Sequence, residues 1–268
     1  MNGALKHLHL AGAEGVIHAL EFGSQHAGPP LLCLHGVTGS AWLWHGVAAA
    51  LARRRRVIAL DLRGHGASDW SAGHHYDTPA HMADLVSVAD TLGLERFDLA
   101  GLSWGALIGI AYAARHPQRV GKLAIVDVEP SFAQSEHAVA PRPEHFASRD
   151  EVLAWERAAN PRAPEALLRT FAYHSVRHAD GGGWARQHDP YFFKCWPFRR
   201  DDLWAELPRL HSPPLLVHGE RSFVRGAVME EMAGCVPGAR LLHLPDCGHL
   251  VPLEAPHGLQ QALEEFLE

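Results

Sequence analysis

The segment Gly101-Leu102-Ser103-Trp104-Gly105 has residue types and a spacing that could do chemistry. A serine with glycine two positions away on each side fits G-x-S-x-G. It sits between a strand-like run, Arg96-Phe97-Asp98-Leu99-Ala100, and a helix-forming run from Ala106 to Ala114. A tight strand-to-helix turn there strains the serine backbone and lifts Oγ above the sheet, while the glycines leave room for neighbouring backbone. The first N–H groups of the helix then point at any oxyanion formed beside the serine. The bland alternative is a serine that only caps a helix. Nucleophilic attack by Ser103 needs an adjacent base, because a serine hydroxyl is weak near neutral pH. The 21 histidines also invite a metal reading. Their close pairs, His7/His9 and His74/His75, lie in no HExxH helix and beside no cysteine pair of zinc spacing. No metal site is expected, and the histidines are expected at the surface.

Elements that could position Ser103 alternate along the chain. Residues 30–35 form a short apolar run closed by Gly36, and residues 56–61 form another that ends at Asp61. Residues 41–52 and 79–93 have helical character, the latter with mixed three and four spacing. Residues 96–100 and 121–128 read as further strands. This βαβ rhythm predicts a mostly parallel sheet covered on both faces. It breaks over residues 130–208, which hold short helical segments, several prolines and Gly181-Gly182-Gly183, with no clear strand-like run. Alternation resumes at 213–218 and 239–244, and a helix from about 255 to 267 ends the chain. The expected organisation is an α/β core from residues 1–129 and 209–268 with a helical insertion, 130–208.

At 268 residues, with 47% apolar and 20% charged residues, the composition suits one large globular domain. A net charge of −6 argues against nucleic acid. The one dense basic run, Arg53 to Arg56, reads as a solvated entry to the next strand. Four scattered cysteines do not form a disulfide framework. No apolar stretch suits a signal peptide or a membrane span, so a cytoplasmic, membrane-free protein is expected.

The motifs together resemble the α/β-hydrolase family, in its capped subclass, over nearly the whole chain. His35-Gly36-Val37-Thr38-Gly39-Ser40 resembles the family's HGxxGS turn. That likeness implies an oxyanion hole from the backbone N–H groups of Val37 and Trp104, for which side-chain identity matters less than backbone position. Asp61-Leu62-Arg63-Gly64-His65-Gly66-Ala67-Ser68 resembles the DxRGxGxS segment and reads as structural. Gly248-His249, followed by Glu254 and Pro256, resembles the GHxxxxExP ending. That likeness implies His249 as general base to Ser103, since imidazole can take the hydroxyl proton and return it.

The third member departs from the pattern. The family usually places its acid in the loop after the strand at 213–218, where this chain has Ser222 and Phe223. Neither can serve. Asp127, at the end of residues 121–128, is the favoured substitute, with Glu129 and Glu220 as alternatives. The resemblance implies a cofactor-independent hydrolase acting on a carboxylic ester or related acyl compound through an acyl-enzyme on Ser103. Alternatives are hydrolysis of a carbon–carbon bond in a ring-fission product and a non-catalytic ligand-binding protein, the latter suggested by the empty acid position. A likeness of Ser103-Trp104-Gly105 to proline iminopeptidases ranks behind these, because Val37-Thr38-Gly39 departs from their glycine- and proline-rich turn. The insertion carries Trp155, Phe171, Tyr173, Trp184, Tyr191, Phe192, Phe193, Trp196, Phe198 and Trp204. Rings there would favour an apolar or aromatic small-molecule substrate, although most are expected to form the insertion's own small core.

Overall fold

The computed structural model describes residues 5–132 and 142–268. The chain opens with a hairpin, β1 (Lys6–Ala11) and β2 (Val16–Phe22). There follow β3 (Leu31–Leu34), α1 (His45–Leu51), β4 (Val57–Leu60), α2 (Thr78–Thr91), β5 (Phe97–Leu102), α3 (Trp104–Arg115) and β6 (Val120–Val126). The inserted segment holds β7 (His145–Phe146), α4 (Arg149–Ala159), α5 (Glu165–His174), β8 (Val176–His178), β9 (Trp184–Arg186) and short 3-10 turns. The chain closes with β10 (Leu215–Gly219), α6 (Gly226–Gly234), β11 (Arg240–Leu244), α7 (Val251–Glu254) and α8 (Pro256–Leu267).

Eight strands form the central sheet in the order β1-β2-β4-β3-β5-β6-β10-β11. From β4 to β11 neighbouring strands are parallel, and the β1–β2 hairpin joins antiparallel through β2. Every residue of β3, β4 and β5 is buried. That explains their continuous apolar runs, because helices cover both faces. One apolar cluster forms on each face. Asp77 accepts from Ala80 N at 2.9 Å and starts α2, with proline in its first turn. Among the described residues no helix is long and apolar enough to cross a membrane.

Four points bear on those expectations. The insertion is not wholly helical: β7, β9 and β8 form a small antiparallel sheet. These strands have two or three residues each, too short to leave a readable apolar alternation. Second, the structure identifies rings of the insertion that join the main core, which the expectation that most would form the insertion's own core left room for. Phe192 and Phe198 are buried against Trp104, at ring separations of 5.9 and 5.4 Å, and Phe192 also meets His65 and Tyr76. Such thin elements bury large rings by laying them on the sheet's own helices. Third, not all of the histidines lie at the surface: His18, His35, His65, His81, His188 and His218 are buried. The basic run differs in part too: Arg55 pairs with Asp98 at 2.9 Å and Arg56 with Glu21 at 2.6 Å, and both arginines are largely shielded.

Because Phe192 belongs to the core shared by insertion and sheet, Phe192→Ala is expected to lower unfolding free energy by about 3–5 kcal/mol. Urea unfolding should remain one transition with an earlier midpoint. A separate early transition with the main midpoint unmoved would mean the insertion packs independently.

Candidate active site

The backbone at Ser103 has φ 54° and ψ −123°, a conformation that L residues seldom adopt. It is held from both sides. Ser103 N–H donates to Val126 O at 2.9 Å, and Ser103 O accepts from Ala106 N at 2.8 Å. The two glycines of the motif have steric reasons. A Cβ at Gly101 would lie 2.3 Å from Gly105 O, and one at Gly105 would lie 2.5 Å from Leu34 O. The close approach of α3 to β3 and β5 therefore requires both. Trp104 begins α3, so its N–H has no acceptor one turn back in the helix. Its side chain is fully buried, edge-on to His81 at 4.6 Å and beside Phe192 and Phe198. Its identity thus matters for packing, a role separate from the backbone role that the resemblance implies.

β6 ends one residue before Asp127, and Ser103 N–H bonds Val126, so nucleophile and carboxylate lie at the ends of neighbouring strands. Asp127 also has a positive φ, 48°, which aspartate tolerates better than most residues. Its carboxylate is fully buried. His249 Nδ1–H donates to Oδ2 at 2.6 Å, Ser222 Oγ–H donates to the same oxygen at 2.5 Å, and Gly219 N–H donates to Oδ1 at 2.9 Å. With a carboxylate at Nδ1, that nitrogen keeps its proton and Nε2 is the basic one. The position that lacks an acid thus supplies a hydroxyl to the carboxylate. Sequence reasoning discarded Ser222 because it tested only for a carboxylate.

The loop around Ser222 is braced from behind. Val224 N–H donates to Ser222 Oγ at 3.1 Å, and His218 Nε2–H donates to Val224 O at 3.0 Å. His218 Nδ1 meets His243 Nδ1 at 2.9 Å. The His249 loop is pinned by Gly248 N–H donating to Glu254 Oε2 at 2.9 Å, which gives the glutamate of GHxxxxExP a positional role. The Phe223 ring lies 4.4 Å from the His249 ring and is half exposed. Glu129 and Glu220 are elsewhere. Glu129 forms a two-pronged pair with Arg225 at 2.9 and 3.0 Å, and Glu220 is exposed.

The turn at residues 36–39 lies over Ser103. A Cβ on Gly36 would come within 3.1 Å of Ser103 Cβ and 3.5 Å of Oγ. Among the described residues neither Val37 N–H nor Trp104 N–H has a hydrogen-bond acceptor. The turn is fixed by two buried histidines. His35 Nδ1–H donates to Gly36 O at 2.7 Å while its Nε2 accepts from Leu62 N at 3.0 Å. His65 Nδ1–H donates to Arg63 O at 3.1 Å while its Nε2 accepts from Thr38 N at 3.1 Å. Each ring donates at one nitrogen and accepts at the other, which only a neutral imidazole can do. Buried Asp61 accepts from Ala41 N at 2.6 Å, Ala67 N at 3.0 Å and His18 Nδ1 at 2.7 Å, joining turn, loop and hairpin. Gly66 leaves it space, since a Cβ there would lie 2.1 Å from the Asp61 carboxyl carbon. Among the described residues no three His, Cys, Asp or Glu groups converge as a metal cage would require.

Residues 29–256 match the family model described as alpha/beta hydrolase fold. An esterase of Mycobacterium tuberculosis is 29% identical over 280 aligned residues, covering 100% of this chain and 91% of its own. A 2-hydroxymuconate semialdehyde hydrolase of a Pseudomonas strain is 41% identical over 103 residues, 37% of this chain and 36% of its own. The solved structure of an E-2-(acetamidomethylene)succinate hydrolase superposes with a TM-score of 0.85 at 22% identity, over 98% of this chain and 99% of that one.

The buried histidines predict a pH dependence of stability. Burial lowers the pKa of His35 and His65, brings that of His188 to about 4 and that of His81 to about 3. In the unfolded chain each binds a proton near pH 6.5, so below that pH the unfolded state holds protons the folded state refuses. Stability is therefore full above about pH 6.5 and falls on acidification, by up to about 1.4 kcal/mol per pH unit for each histidine. Urea midpoints should drop steeply from pH 6.5 to 5, and less steeply in His81→Leu. Midpoints that stay level across that range would contradict neutral burial.

Proposed function

The chain belongs to the α/β-hydrolase family, and from that premise we propose that it is a serine esterase in which Ser103, His249 and Asp127 form the catalytic triad. The observation that carries this reading is the 2.6 Å contact between His249 Nδ1 and a buried carboxylate whose strand end is hydrogen-bonded to the Ser103 turn. Asp127 holds the imidazole in the tautomer that leaves Nε2 basic and stabilises the imidazolium once it forms. His249 takes the Ser103 proton as Oγ attacks the acyl carbon, then returns it to the departing alcohol. The Val37 and Trp104 N–H groups, free of other acceptors among the described residues, receive the oxyanion. Water, deprotonated by His249, attacks the acyl-enzyme and releases the acid and Ser103.

Ser222 is a positioning residue in this scheme. Its hydroxyl fixes Asp127 and adds a donor to a fully buried carboxylate. Glu129 and Glu220 play no part, one being committed to Arg225 and the other exposed. The segment 130–208 is the cap, whose rings beside the core favour a partly apolar acyl group. Four free thiols, two of them buried, suit a reducing cytoplasm. The muconate-type relative supports a second substrate class, an activated ketone cleaved at a carbon–carbon bond by the same residues.

A fluorophosphonate probe and 4-nitrophenyl esters test the reading together. Labelling is expected at Ser103 and is expected to vanish in Ser103→Ala and His249→Ala. Asp127→Asn should lower kcat by roughly 10³–10⁴-fold. Ser222→Ala should lower it by roughly tenfold, the effect of one hydrogen bond to a charged group. Full activity in Asp127→Asn, or probe labelling at a different residue, would overturn the assignment. Faster turnover of a ring-fission dienone than of any ester would favour the second class.

A further inference from the structure

Among the described residues Arg142, just ahead of β7, has no carboxylate bonded to it. Its Nη1–H donates to Thr38 Oγ1 at 2.8 Å. Thr38 follows Val37 in the turn whose Gly36 faces Ser103, so the guanidinium touches the turn that overhangs the nucleophile. The Trp155 ring lies 5.6 Å from the guanidinium carbon. Nearby Arg186, by contrast, is paired with Glu156 at 2.6 Å. Among the described residues Arg142 has no carboxylate partner.

Its surroundings make that unusual. Packed protein around the guanidinium lowers its pKa, with Glu156 opposing and Arg186 adding to the effect. Glu156 is already committed to Arg186, and its second oxygen meets Asn160. Yet the Arg142 side chain is exposed. The exposed guanidinium is open to an incoming anion, and its bond to Thr38 holds it beside the turn over Ser103. A guanidinium carries five donors in a planar fork, and Thr38 uses one. The remaining edge matches a carboxylate.

We propose that Arg142 binds a carboxylate of the substrate, so that the preferred ester is the half-ester of a dicarboxylic acid, or an acyl compound with a second, anionic end. This rests on Ser103 being the nucleophile and narrows the substrate class given above. The acyl chain would run from Ser103 past the 36–39 turn, with its far carboxylate on the guanidinium and its middle against apolar cap residues. A purely apolar acyl chain would leave the cation unmatched. The Thr38 contact then orients the fork rather than satisfying it.

The test compares 4-nitrophenyl half-esters of succinic, glutaric and adipic acid with 4-nitrophenyl butanoate, pentanoate and hexanoate, which match them in acyl length. The best half-ester should exceed its neutral partner in kcat/KM by at least roughly tenfold, and added salt should shrink the ratio. Arg142→Met should lower the half-ester to neutral-ester ratio by roughly 10- to 100-fold, with Arg142→Lys in between. A wild-type ratio near one, or the same ratio in wild type and Arg142→Met, would overturn the proposal and leave Arg142 as a latch on the turn. If Ser103 still labels with fluorophosphonate in that case, the serine-esterase reading stands and only the carboxylate site fails. Loss of both turnover and labelling in the wild-type protein would overturn both.

Discussion

A carboxylate sealed from water must have its oxygens satisfied by the protein, and at Asp127 this requirement organises the site. One oxygen takes the Gly219 N–H and the other takes His249 and the Ser222 hydroxyl. These donors come from the end of β10, the loop after it and the loop after β11, so the parallel order β6-β10-β11 is what makes them converge. An unpaired buried charge would cost several kcal/mol, so the loops that carry Ser222 and His249 are tied to the core through Asp127. The positive φ at Asp127 is maintained by Asp127 N–H donating to Val217 O at 2.8 Å.

The other half of the site depends on neutral imidazoles. His35 and His65 each bridge a backbone donor and a backbone acceptor, and through Gly36 O and Thr38 N they set the turn above Ser103. Asp61 extends this frame to the β1–β2 hairpin through His18. Acid would attack this half. Protonation would remove the acceptor nitrogen of His65 from Thr38 and add charge inside a closed layer. The stability of the fold and the shape of the oxyanion turn are therefore linked through the same rings.

Much of this was legible in the chain. The Ser103 elbow announced itself by glycines at fixed offsets, and the alternating runs gave the parallel sheet because strands buried on both faces read as uninterrupted apolar stretches. The β1–β2 hairpin did not stand out, since Lys6-His7-Leu8-His9 alternates weakly and most of β1 is exposed. Ser222 was invisible for a different reason. A hydroxyl that donates to a distant carboxylate leaves no local pattern, and its partner Asp127 is 95 residues earlier in the chain. The buried histidines were misread because burial of an imidazole depends on backbone partners supplied by tertiary contacts, as Leu62 and Thr38 do here. Trp104 shows the same limit: the motif fixes its backbone, but only the arrival of Phe192 and Phe198 gives its ring a place.

The pairing of Asp127 with His249 is most directly tested by proton NMR of the imidazole N–H. A strongly downfield, exchange-protected Nδ1–H signal is expected in the wild-type protein and in Glu129→Gln and Glu220→Gln, and it is expected to be absent in Asp127→Asn and in His249→Ala. Persistence of that signal in Asp127→Asn, or its loss in Glu129→Gln or Glu220→Gln, would contradict the account.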